Sequence, residues 1–348
     1  MKPVVIEKKL DDDLTKKPLL PDDEKKKEDK EKERKARREK RKAEREKQEV
    51  TRSLDMDEGL ETARVINGLT PVKPTWVGNE VAKSFFEKNS DVDKLKNEFS
   101  YLNSIDCSKP ATFFHNYIER NRNQTGSILV QQYPVLDENR VVLNRPGPDQ
   151  INYINASFVT LKDVPNKIIV AQLPQMENES FVEDFWQMIY QENITIVYLL
   201  CTQDEIKKAP TKLFCEEVGA FQYIGKMFIN NRKAETFPDL QFHTIEVLPE
   251  GCSDAVMTKV HQVLTWEKAR QPIKLRLIIK MIHSFLSEKE VQNAGICVVS
   301  LWGSGRACSF LAALIAISLL NKGIEPKILD IMTSIKLYKS FKRKSLNS

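Results

Sequence analysis

Hydrophobic positions along the 348-residue chain fall into two regimes. From Asp22 to Glu49 almost every residue is Lys, Arg, Glu or Asp, with no apolar face to bury. Such a segment cannot offset its ordering entropy by packing. It reads as disordered, or as an exposed helix held by i,i+4 pairs such as Glu28–Lys32 and Glu31–Lys35. After "GLTPVKPTW" the pattern turns periodic. Val92, Leu95, Phe99 and Leu102 recur at helical spacing, with Asp91 as the expected cap. "FFHNYIERN" reads as a further helix, and "VVLNRPGPDQINYINASFV" as strand, Pro/Gly turn and strand. "KIIVAQLP" is a strand, and "ESFVEDFWQMIYQEN" a helix closed at Asn193. The continuous runs "ITIVYLLC" and "GICVVSL" are expected to be strands covered on both faces. "AFQYIGKMFI", "LQFHTIEVL" and "KVHQVLTW" supply more strands; "PIKLRLIIKMIHSFLSEK", "CSFLAALIAISLLNKG" and "EPKILDIMTSIKLYKSFKRK" supply helices. The expected fold is α/β, a mixed sheet flanked by helices. Residues 1–75 form a charged low-complexity tail and linker, and 76–348 one domain of roughly 270 residues.

Composition removes several function classes. The N-terminus is too polar for a signal peptide. Six cysteines without a CxxC pair read as free thiols in a reducing compartment, so a cytoplasmic location is expected, with the nucleus as the variant. Four scattered histidines offer no metal site, and nothing calls for a cofactor. The apolar stretch from Ile296 to Leu320 has the length of a membrane span, but Arg306 and two glycines near its centre favour strand, loop and helix. "RKARREKRKAER" in the tail resembles a nuclear-localisation or anion-binding patch, although interleaved acids weigh against nucleic acid as its partner.

The stretch "VVSLWGSGRACSF" carries the candidate chemistry. A buried strand, a glycine loop and a helix make backbone amides converge on one point, where an anion is favoured. Gly303, Ser304, Gly305 and Arg306 are the expected phosphate-binding residues, with the guanidinium as a fork for phosphate oxygens. A purely structural turn remains the alternative on residue types alone.

From about Phe85 onward, six segments in order resemble the classical protein tyrosine phosphatases. "KNEFSYL" is similar to the family's opening helix, and "ERNRN" with "LDENRVVL" to its recognition segment. "INYINASFV" nearly reproduces "DYINAS". "IVAQLPQMENESFVEDFWQMIYQENITIVYLL" is similar to the next strand, turn and "DFW" helix. "VLTWEKARQP" sits where the acid loop "WPDxGxP" belongs, and "VVSLWGSGRAC" where "HCxxGxGR(S/T)G" belongs.

The resemblance implies a cysteine nucleophile, an aspartic general acid and an arginine-amide cradle. This chain departs at both chemical positions. Ser300 stands at the nucleophile, with Val299 in place of the preceding histidine, and a hydroxyl cannot become an alkoxide without an adjacent base. Lys268 stands at the general acid, beside Trp266 and Glu267. Asn123 replaces the ring-stacking recognition tyrosine, and Trp302 replaces a small residue of the ring pocket. Trp266, Trp302 and Asn123 are therefore the expected substrate-recognition positions, and no catalytic residue is expected. The reading is a catalytically silent phosphatase-like domain that binds phosphotyrosine proteins or a protein kinase, as protector, sequestering partner or scaffold. The alternatives are a weak or altered phosphatase, and a scaffold with a filled pocket whose tail binds nucleic acid or an anionic surface. Arg306 has a structural alternative of its own, as the partner of a buried carboxylate.

Overall fold

A computed structural model describes residues 78–106, 109–122, 134–145, 147, 150–161, 164–206, 211–267, 272, 274–287 and 294–338. All of them belong to the unit Thr75–Ser348. The charged tail, Asn123 and Lys268 lie outside the described residues.

Helices α1 (Asn79–Asn89), α2 (Val92–Ser104) and α3 (Thr112–Asn116) lead into a 3-10 turn at Ile118–Asn121. Then come β1 (Arg140–Val142), β2 (Tyr153–Leu161), β3 (Val164–Gln172), α4 (Glu179–Gln191), β4 (Ile194–Leu200) and the short α5 (Gln203–Ile206). Strands β5 (Phe221–Ile224), β6 (Met227–Thr236), β7 (Leu240–Pro249) and β8 (Val256–Val263) follow. The chain continues through α6 (Leu275–Ser287), β9 (Gly295–Ser300), α7 (Gly305–Asn321) and α8 (Ile328–Tyr338). The described strands form one sheet in the order β1-β2-β3-β9-β4-β8-β7-β6-β5. Its centre, β3-β9-β4-β8, is parallel and its two wings are antiparallel.

The parallel centre explains the unbroken apolar runs. Every residue of β9 is buried, and its side chains alternate between two cores. Val298 and Ile296 face α7 with Tyr198 and Phe310. Val299 and Cys297 face α4 with Phe185 and Trp186. A strand covered on both faces needs no polar alternation. The apolar stretch from Ile296 is thus strand, loop and helix, and no helix among the described residues is long and apolar enough to cross a membrane.

Local signals hold at the caps. The Asp91 side chain accepts from Asp93 N at 2.9 Å and Lys94 N at 3.3 Å, opening α2. Asn193, with φ of 52°, turns the chain from α4 into β4. The α2 helix stands as expected although its stripe is mostly exposed, and one other expectation needs correction. Only Leu102 of the α2 stripe is buried, while Val92, Leu95 and Phe99 are exposed. The helix meets the body through its C-terminal turn, where Lys336 Nζ of α8 donates to Leu102 O at 2.5 Å and Ile105 O at 2.9 Å. Spacing identifies an apolar stripe but not what it meets. "FFHNYIERN" is likewise not one helix: the buried Asn121 amide donates to Phe114 O and Tyr117 O, and α3 ends there.

Candidate functional site

Ligands of open α/β sheets gather beyond the carboxyl ends of parallel strands. Here β3, β9 and β4 end side by side at Gln172, Ser300 and Leu200. The loop leaving β9 turns back through Gly303, whose φ is +57°. A Cβ there would lie 2.6 Å from Gln172 N and 2.8 Å from Ala171 C, so only glycine lets the loop pass this close to β3. Gly303 N donates to Ser300 O at 3.0 Å, and Leu173 N donates to the same oxygen at 2.9 Å. Ser304 is the N-cap of α7, and no side chain caps that end. The first amides of a helix lack intrahelical acceptors. The first backbone bond closing this end is Cys308 N to Ser304 O at 2.7 Å. A Cβ on Gly305 would meet nothing within 4 Å, so this position is open.

Arg306 is anchored by one edge. Its Nη1 and Nη2 donate to Glu205 Oε2 and Oε1, both at 2.9 Å, a bidentate pair with α5. Nη1 also donates to Trp266 O at 2.6 Å. Both side chains of the pair are largely buried, at 6% and 13% exposure, where a fork-to-fork pair is geometrically strict. The structural role considered for Arg306 is therefore present. Trp266 is 5% exposed and packs in the α7-side core, so it serves as a clamp on Arg306 through its carbonyl. Glu267 beside it is exposed.

Ser300 lies at the base of this loop, 2% exposed, and its Oγ has no hydrogen-bond partner among the described residues. Among them, no base is hydrogen-bonded to it. Cys201, immediately after β4, is fully buried. Burial pushes it up to about 12, against the pull of the Arg306 charge. The Cys201 thiol is therefore not an ionised nucleophile at neutral pH. Cys308 is buried in the α7-side core.

The wall beside the loop is built by a polar relay that residue spacing did not reveal. Tyr153 Oη and Asn155 Nδ2 donate to Asn121 Oδ1 at 2.7 and 3.0 Å. Asn155 Nδ2 also donates to Gln172 Oε1 at 2.9 Å, and Gln172 Nε2 donates to Arg122 O at 2.6 Å. These groups are buried and mutually satisfied, and they tie the recognition segment to β2 and β3. Behind them Asp184 of α4 pairs with both Arg120 and Arg145. Burial pushes the Asp184 carboxyl up, and the two guanidiniums pull it back. Trp302 packs against Ala111, Phe114 and Val135 and also against the α4-side core, so its ring bridges the anion loop and the recognition segment. Among the described residues no group of His, Cys, Asp and Glu is placed to hold a metal ion.

Comparison with known proteins follows this geometry. The family model described as protein-tyrosine phosphatase matches residues 121–347. A Caenorhabditis elegans protein named as a tyrosine-protein phosphatase is 27% identical over 220 residues, covering 62% of this chain and 52% of its own. A second from the same organism is 29% identical over 206 residues, covering 58% and 45%. The chain thus spans about half the length of these relatives. The crystal structure of a Trypanosoma cruzi protein tyrosine phosphatase superposes with a TM-score of 0.61 at 16% identity, over 74% of this chain and 89% of that one, a likeness of fold. With its family model covering more than half of the residues, this chain belongs to the protein-tyrosine phosphatase family.

Proposed function

We propose that this domain binds phosphotyrosine-bearing proteins, or the kinase that makes them, without hydrolysing the phosphoester. The observation that carries the reading is the partnerless Oγ of Ser300 below a loop that keeps its amides and its arginine. Phosphoryl transfer to a protein nucleophile needs that nucleophile ionised or hydrogen-bonded to a base, and this hydroxyl is neither. Lys268 at the acid position holds its proton near neutrality and does not deliver it to a leaving phenolate. Loss of one acid–base partner typically removes about two to four orders of magnitude in rate.

Binding requires less. The backbone at the start of α7 and the Arg306 guanidinium are the donors proposed for a tetrahedral anion, and anions are favoured at a helix N-terminus. Trp302 is assigned to the ring side of the site, where an indole in place of a small residue narrows the slot for a phenyl group. The test is thermal denaturation and calorimetry of the full chain with orthovanadate and with a phosphotyrosine peptide, beside a phosphate-release assay. Stabilisation by vanadate and peptide with no released phosphate is expected. Turnover abolished by Ser300→Ala would overturn the proposal.

A further inference from the structure

Before β5 the chain runs as an irregular strap, residues 213–219, whose Leu213 and Phe214 pack in the α4-side core. Its ends are tied independently. Trp186 Nε1 donates to Leu213 O at 2.8 Å, and Gly219 N donates to Asn231 O at 2.7 Å. Between them one buried amide holds the strap. Asn231 Nδ2 donates to Cys215 O at 3.0 Å and to Glu216 O at 2.9 Å. These two carbonyls take both hydrogens of the NH2 group and fix which way the amide points. His243 Nδ1 lies 3.1 Å from the same nitrogen. Facing an NH2 group, the ring presents its bare nitrogen, so its hydrogen sits on Nε2 and a further proton must enter at Nδ1. Asn231 Oδ1, also buried, has no hydrogen-bond partner among the described residues.

We propose that protonation of His243 turns the Asn231 amide over and frees the strap between Phe214 and Gly219. A proton on Nδ1 sets N–H against N–H. The amide relieves this by swinging its spare Oδ1 onto the new donor. The same half-turn puts an oxygen against Cys215 O and Glu216 O, which lose their donor and turn to water. Linkage has the matching sign. Burial pushes the imidazole below its ordinary value, and the Glu216 carboxylate pulls it partly back. With the strap lifted the ring is hydrated and titrates near about 6.5. The released form therefore binds the proton more tightly, and acid favours it. Among the described residues Glu216 is the one charged group acting on this ring. Val260 of β8 and Ala234 of β6 lie directly across from it, and Gln241 and Ile245 flank it on the same face of β7. Phe214 of the strap covers the ring, with centroids 4.8 Å apart. Release bares the half-buried Cys215 thiol.

Labelling of the full chain with methyl methanethiosulfonate, mapped to each cysteine by mass spectrometry, tests this. Exposed Cys252 is the internal reference, so the ratio of Cys215 to Cys252 labelling rates reads the strap. Between about pH 7.5 and 5.5 that ratio is expected to rise roughly three- to tenfold, tenfold being the bound one unit below the released value. His243→Gln should hold it constant. Glu216→Gln, at an exposed position, removes the pull on the docked ring and should enlarge the rise. A constant ratio in the parent overturns the proposal, and so does a rise that survives His243→Gln. If that variant does not fold, a rise in Glu216→Gln no larger than the parent's overturns it. A rise shared by the buried Cys201 and Cys297 does so too, because the whole domain would then be opening.

Discussion

Gly303 and Gly305 stand two residues apart in one loop and do opposite jobs. A methyl at Gly303 collides with the β3 backbone and meets a positive φ. Gly303→Ala is therefore expected to cost about 2–4 kcal/mol, the sum of left-handed strain and overpacking. At Gly305 the methyl enters open space, so Gly305→Ala should change stability by less than about 0.5 kcal/mol. If the proposed anion lies at this open position, the same methyl competes with it and vanadate stabilisation should fall. Urea titrations with and without vanadate read both effects. Ser300 permits a sharper experiment. A thiol at this position supplies the nucleophile that the family resemblance calls for, and backbone amides with a nearby cation favour a thiolate. Ser300→Cys is expected to hydrolyse p-nitrophenyl phosphate at least about 100-fold faster than the parent, since that leaving group needs no proton. A phosphotyrosine peptide, whose leaving group does need one, should remain slow for want of an acid. Colorimetric phosphate release on both substrates separates the two losses.

Elements show where sequence suffices. Lys336 is 2% exposed in α8, and its ammonium satisfies the last carbonyls of α2. Lys336→Met keeps the volume and strands those oxygens, which should cost about 1–3 kcal/mol in a denaturant titration. Nothing in the α8 pattern announces this contact, because its partners are about 230 residues away. The strands β4 and β9, the helix α7 and the glycine turn between them were readable because an unbroken apolar run and glycine spacing are local signals. The pairing of Arg306 with Glu205 was anticipated only as a buried carboxylate without a position, since α5 is a four-residue helix with no periodicity to read. The relay through Asn121, Asn155 and Gln172 went unread for a different reason. Buried amides look like surface amides in a sequence, and only tertiary placement shows that each satisfies the next.

At the scale of the whole molecule, the sheet carries an aromatic line beneath the anion site, from Phe242 on β7 through His261 on β8 and Tyr198 on β4 to Phe310 on α7. His261 meets Tyr198 at 5.2 Å and Phe242 at 4.8 Å, both edge-on, and Tyr198 meets Phe310 at 4.7 Å. Burial, assisted by the Lys259 charge, pushes the His261 imidazole down to about 4. In the unfolded chain this ring titrates near its ordinary value of about 6.5. Between those two values the unfolded state holds a proton that the folded state refuses, so stability rises with pH across that window. Acidification from pH 6.5 toward 4 should therefore remove up to about 3 kcal/mol through this residue. His243, also lowered by burial, adds a slope of the same sign. The Asp184 carboxyl, raised by burial, contributes the opposite one in the carboxylate range. His261→Phe keeps the aromatic contacts and removes the proton site. Its unfolding free energy, measured by urea at about pH 7, 6 and 5, should show a smaller loss on acidification than the parent's. Parallel curves for the two proteins would place the acid sensitivity in the carboxylates instead.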